Sequence, residues 1–361
     1  MSLDTPGTTP PRRRSLLRRV SLGILKWGAV LLVVVLLVTA VAARILHARD
    51  SARWKAPGRM VGVGDGRRMH LYCTGSGTPT AILEAGLGDF SVTSWNSVQP
   101  AISGFTRACS YDRASAGWSD PSPHAPRPDA IVADLHTLLQ NAGEPPPYVL
   151  VGHSLGGPIA RHYAVRHPAQ VAGLVLVDGS HEDQLVKLPL PGWSKWLVAA
   201  LPALNRLGID RVAFALAEGD TITAISGAHG TMPTMARNTA AIQSQLSPFF
   251  DQIRRDARPF GALPLVVLTA GRMSPIPGFS PDEMRSFRDA WRALHQDIAA
   301  RSTNSHWIIA EKSAHYIQRD EPELVTAAVK EEVDGVRDAS QPLPPEAPAV
   351  RPVAPARPTA H

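Results

Sequence analysis

The sequence predicts an α/β fold: a mostly parallel, doubly wound sheet with a helical cap inserted after the sixth strand. Two observations carry this prediction. Short apolar runs, of the kind buried on both faces of a parallel sheet, alternate with stretches of helical period through most of the 361 residues. One interval, about residues 181–261, is far longer than a crossover helix requires and is rich in apolar and aromatic side chains.

The chain opens with a basic tail, residues 1–26, in which Arg12, Arg13, Arg14, Arg18, Arg19 and Lys26 face only Asp4; this accounts for most of the net charge of +6. A nucleic-acid binder would spread its cations over the folded domain, so no nucleic-acid partner is expected. Residues 27–43, WGAVLLVVVLLVTAVAA, are free of charge, which predicts a transmembrane or signal-anchor helix of near-minimal length. A buried core helix is the plain alternative, and the arginine-rich tail before it speaks against that. The expected placement is membrane-anchored with the catalytic domain outside the cytoplasm. Ala40-Val41-Ala42 has the form of a cleavage site and Arg13-Arg14-Ser15-Leu16-Leu17 that of a twin-arginine export signal, so secretion after cleavage is the rival. Residues 44–57 read as a polar connector, 58–337 as the folded domain, and 338–361 as a disordered Pro/Ala-rich tail.

Within the domain, Met60–Val63, Met69–Cys73 and Ala81–Glu84 read as a hairpin and a third strand, separated by glycine turns. Phe105–Tyr111 is strand-like. Ile131, Leu135, Leu138 and Leu139 then recur at helical spacing, with Asp129 as an expected cap and Gly143 as a stop. Tyr148–Val151, Val171–Val177, Leu263–Leu268 and Trp307–Ala310 complete the strands. The interval 181–261 holds Trp193, Trp196, Leu197, Leu201, Leu204, Phe214, Phe249 and Phe250, which predict a mainly helical cap over the carboxyl ends of the strands, where open α/β sheets bind ligands. Each of these aromatics could equally serve the cap's own core.

The chemistry concentrates in three segments. Gly152-His153-Ser154-Leu155-Gly156 fits G-x-S-x-G between an apolar strand and a helix, the setting that exposes a nucleophilic serine on a tight turn. LEAGLGDF, residues 83–90, is a glycine-flanked loop after the third strand. It suits an oxyanion hole, with the backbone N–H groups of Leu87 and Leu155 as the donors. His315, in EKSAHYIQRDEPELV just beyond the last strand, is the expected base; His153, His162 and His167 lie near the serine in sequence but are expected to pack or face solvent.

The order of these motifs, together with SYDRASAGWSDP at residues 110–121, resembles the α/β-hydrolase fold superfamily in its capped serine-hydrolase branch, over about Met60 to Val333. The resemblance implies a structural role for Asp112 and Arg113. Epoxide hydrolases and haloalkane dehalogenases of the superfamily use an aspartate nucleophile, and Ser154 stands here instead. The superfamily's sheet order makes the strands of Cys73 and Cys109 neighbours, which implies a bridge if the domain is exported; two buried thiols are the alternative. The triad acid usually follows the seventh strand, but VVLTAGRMSPIPG holds no carboxylate before Asp282. A variation within the superfamily places it after the sixth strand, which selects Asp178 of LVLVDGSHED, with Asp282, Glu182 or Asp183 as alternatives.

The expected function is therefore hydrolysis of an acyl bond, a carboxylic ester with apolar groups, through an acyl-Ser154 intermediate. The expected partners are a small apolar ester or amide and a membrane. No metal, nucleotide or flavin motif is present, so no cofactor is expected. An aminopeptidase or amidase would need an acidic group in the cap, for which Glu182, Asp183, Glu218 and Asp220 are candidates. A cofactor-free perhydrolase would use the same serine, and a non-catalytic binding module is the reading from another class.

Overall fold

The computed structural model describes residues 13–188, 200, 203–216 and 221–338. Its centre is an eight-stranded sheet in the order β1-β2-β4-β3-β5-β6-β7-β8. The strands are β1 (Arg59–Gly64), β2 (Arg67–Thr74), β3 (Thr80–Glu84), β4 (Ala108–Tyr111), β5 (Tyr148–His153), β6 (Val171–Val177), β7 (Leu265–Ala270) and β8 (Ser305–Ala310). Only the β1–β2 and β2–β4 pairs are antiparallel; from β4 to β8 every pair is parallel. Strand β4 starts at Ala108 because Phe105 still closes the turn after the short Gln99–Ile102 helix.

The continuous apolar character of β5 and β6 has a simple cause: both faces are covered. Leu150, Leu174 and Leu176 pack under the helices Pro128–Ala142 and Gly156–Arg166, while Val149, Val151, Val175 and Val177 meet Val325, Val329 and Val333 of the Pro322–Arg337 helix on the other side. Asp129 does not cap its helix. The cap position belongs to Arg127, and Asp129 instead accepts hydrogen bonds from His162 Nε2 and the Gln252 side chain. Gly143 does stop that helix, in a left-handed conformation with φ of 69°. Cys73 and Cys109 lie directly opposite each other in the β2–β4 register and are joined by a disulfide.

The N-terminal region departs from the connector reading. One helix runs unbroken from Arg13 to Arg53, so residues 44–53 continue it, and the first helix-breaking pair after the apolar run is Pro57-Gly58. It is long and apolar enough to cross a membrane, and its large apolar side chains from Val20 to Ile45 are mostly exposed. Its far end docks on the cap. Gly208 approaches so closely that a Cβ there would lie 2.4 Å from that of Ala43, and Arg211 forms a buried ion pair with Asp50 at 2.6 Å.

The cap is helical where it is described, at Gln184–Lys187, Ile209–Leu216, Thr221–Gly230, Pro233–Ser244 and Leu246–Asp256. Phe249 and Phe250 join the main core, Leu204 is half-buried and Phe214 is exposed. Trp193, Trp196, Leu197 and Leu201 lie outside the described residues.

Candidate active site

Ser154 sits where β5 turns into the Gly156–Arg166 helix, with φ of 51°, in the left-handed region that a side chain enters only under constraint. The constraint comes from backbone crowding. A Cβ on Gly152 would fall 2.5 Å from the Gly156 carbonyl oxygen, and one on Gly156 would fall 2.4 Å from that of Glu84, so only glycine fits on either side. The Ser154 amide donates to Val177 O at 3.1 Å, and its carbonyl accepts from Gly157 N at 2.9 Å and Ser180 N at 2.8 Å. These bonds tie the turn to β6 and fix where the hydroxyl points.

Strand β6 ends beside that turn, and Asp178 is the next residue, also left-handed with φ of 45°. Its Oδ2 accepts from His315 Nδ1 at 2.6 Å; its Oδ1 accepts from Ala270 N at 3.0 Å and Trp291 Nε1 at 2.8 Å. Burial alone would raise the Asp178 pKa, but the His315 hydrogen bond and nearby positive charge overrule it and hold the carboxyl down at about 2. His315 itself is half-exposed and faces the cavity that Ser154 and Asp178 line. The other acids are occupied elsewhere: Glu182 with Arg161 and Arg301, Asp183 with Arg254, and Asp282 with Arg285 at the surface. Glu218 and Asp220 lie outside the described residues.

His153 is fully buried and donates from Nε2 to the carbonyl oxygen of His315 at 2.9 Å. Burial first, then the proximity of His315, lowers its pKa to about 3, so it stays neutral. Of the two expectations for it, packing or facing solvent, the structure shows the first, and its hydrogen bond also anchors the His315 loop. Leu155 is buried at the start of the helix, and Leu87 packs partly buried on the core in the loop after β3. That loop presses on the serine turn, since a Cβ on Gly86 would lie 3.2 Å from Ser154 Cβ. Arg113 holds the loop in place by binding Glu84 and the carbonyl oxygens of Ala85 and Gly86. Asp112 accepts from His70, Ser91 N and Trp118 N, all at 2.8–2.9 Å. Both contacts are structural.

A cavity of about 320 Å³ opens over Ser154. Leu185 and Leu188 at the base of the cap form one wall. Met273, Phe287 and Trp291, from the segment after β7, form the other. Sequence reading gave the pocket to the cap alone. The Pro281–Ala299 helix was missed because its inward face is half-buried and reads like that of any amphipathic surface helix.

Residues 81–328 match the family model described as the alpha/beta hydrolase family, and the chain belongs to that family. Among curated relatives, the uncharacterized protein YqjL of Bacillus subtilis is 28% identical over 266 residues, covering 73% of this chain and 88% of its own. Lipase LipV of Mycobacterium tuberculosis is 54% identical over 50 residues, 14% of this chain and 19% of its own. Among solved structures, an esterase from Thermogutta terrifontis superposes with a TM-score of 0.56 at 20% identity, over 77% of this chain and 98% of its own. A serine hydrolase involved in carbazole degradation gives a TM-score of 0.53 at 18% identity, over 76% and 98%. The protein is thus of hydrolase type, on a fold shared with esterases.

Proposed function

We propose that this hydrolase is a serine esterase that cleaves carboxylic esters with apolar groups. The observation that carries the reading is the meeting of Ser154 and the His315–Asp178 pair, bonded at 2.6 Å, in one apolar-walled cavity. In the proposed cycle Ser154 Oγ attacks the ester carbonyl carbon while His315 Nε2 takes its proton. The amides of Leu87 and Leu155 hold the resulting oxyanion. His315 returns the proton to the leaving alkoxide as the C–O bond breaks, and a water molecule then releases the acid from Ser154 by the same two steps. Asp178 fixes the imidazole tautomer and stabilises its cationic form.

An ester is favoured over an N-terminal peptide because Glu182 and Asp183, the candidate cap acids among the described residues, are paired with arginines. The catalytic unit is residues 58–337, and the N-terminal helix serves as a membrane anchor that leaves this unit outside the cytoplasm. A panel of acyl esters of increasing length, amino-acid arylamides and lactones tests the reading. Esters should turn over fastest and Ser154→Ala should abolish the activity; arylamide preference, or turnover surviving in Ser154→Ala, would contradict it.

A further inference from the structure

The anchor helix and the cap meet at a level that has a consequence for the cap. Residues 27–43 extend only about 25 Å as a helix, against roughly 30 Å of hydrocarbon in a bilayer. A membrane centred on this run, which Lys26 and Arg44 bound, takes up all of it, and Thr39 lies about 6 Å inside its upper edge at Ala43. Yet Gly208 touches the helix at this height: a Cβ there would lie 2.7 Å from Thr39 O and 2.4 Å from Ala43 Cβ. A part of the cap that packs on Thr39 and Ala43 cannot stand clear of the headgroups, which occupy only the outer several ångströms of each leaflet.

Three contacts at successive heights set the angle between cap and helix. Gly208 meets Thr39 and Ala43; Arg211 pairs with buried Asp50; and at the helix end Trp118 Nε1 donates to Trp54 O at 3.1 Å while its ring packs against His229, 4.4 Å between centroids. The chemistry of the surrounding surface suits a lipid boundary. Ile209 is 38% exposed beside Gly208, and Arg44, Arg49, Arg53, Lys55 and Arg206 are all exposed around the junction. Between helix end and cap lies a groove of about 700 Å³ whose lining combines Arg49, Arg53 and the Asp50–Arg211 pair with Trp54 and Phe214. Of the exposed cations, Arg44 lies next to Ala43 and Arg206 next but one to Gly208, at the level where a phosphate-bearing headgroup layer binds positive charge; Arg49 and Arg53 stand about 9 and 15 Å further along the helix axis.

We propose that the cap face around Arg206, Gly208 and Ile209 rests in the headgroup layer of the bilayer, so that the cap is a membrane-bound element and not a domain held away on a tether. This inference rests on the anchor reading above. The test uses the full-length chain in vesicles of phosphatidylcholine and phosphatidylglycerol carrying brominated acyl chains. An environment-sensitive fluorophore is placed at Leu32→Cys, Arg206→Cys, Ile209→Cys or Lys330→Cys in turn, the native cysteines being bridged. The expected result is strong quenching at position 32, severalfold more quenching at 206 and 209 than at 330, and protection of 206 and 209 from an aqueous quencher. Quenching at 32 with 206 and 209 as water-accessible as 330 would overturn the proposal and leave the anchor standing. No quenching at 32 would overturn the anchor reading, and the proposal with it.

Discussion

Ser154, half-buried, and Arg211, buried, both occupy constrained positions, but different physics holds each in place. Around Ser154 the constraint is backbone against backbone: adjacent strand ends, glycines with no room for a Cβ, and amides bonded across β5, β6 and β7. Around Arg211 it is one side-chain ion pair to Asp50, 161 residues earlier in the chain, with helix packing on either side. The serine turn is therefore set by backbone packing, whereas the cap's junction with the N-terminal helix rests on a few side-chain contacts.

That contrast can be broken first at the cap. Arg211→Ala leaves Asp50 as a buried carboxylate without its partner, which costs about 3 kcal/mol or more. The loss should appear in hydrogen exchange as faster opening of Ile209–Leu216 and Thr221–Gly230, with β5 and β6 unaffected. A chain that starts at residue 56 lacks Asp50 and Trp54 altogether and should show the same local opening, even though it keeps every strand. Equal protection in the variant and the native chain would mean that the helix is not a structural part of the cap.

A smaller effect sharpens the other side of the comparison. His153 has its pKa lowered by burial from the usual 6.5 to about 3, so the unfolded chain takes up a proton there before the folded one does. Its burial as a neutral ring thus stabilises fully above pH 6.5, and that contribution is lost as pH falls towards 3. Between pH 6.5 and 5 the loss is about 2 kcal/mol at most. Denaturant titrations of the native chain and of His153→Asn should show a shallower acid dependence in the variant over this range. Identical slopes would show that another group governs acid stability.

The same division explains what could be read from the sequence. The central strands were legible because burial on both faces writes a continuous apolar run, the first hairpin because its short apolar segments alternate with glycine turns, and the serine turn because close backbone approach admits only glycine at Gly152 and Gly156. Asp178 stood out through the lack of a carboxylate after β7. By contrast, Trp291 donating to Asp178, His153 holding the His315 carbonyl and Arg113 clamping the Gly86 loop are long-range side-chain contacts that leave no local pattern. The junction of helix and cap was hidden for the same reason: residues 44–57 are polar enough to read as a linker, and only Arg211, far along the chain, makes Asp50 a buried partner.

The central claim is that Asp178, not an acid beyond β7, orients His315 for Ser154. The most direct measurement is the turnover of Asp178→Asn on the best ester of the panel, beside Asp282→Asn, with circular dichroism showing both folded. Asparagine keeps the shape but favours the wrong imidazole tautomer, so kcat of Asp178→Asn should fall by about four orders of magnitude while Asp282→Asn stays near native. Near-native turnover in Asp178→Asn together with its loss in Asp282→Asn would contradict the account.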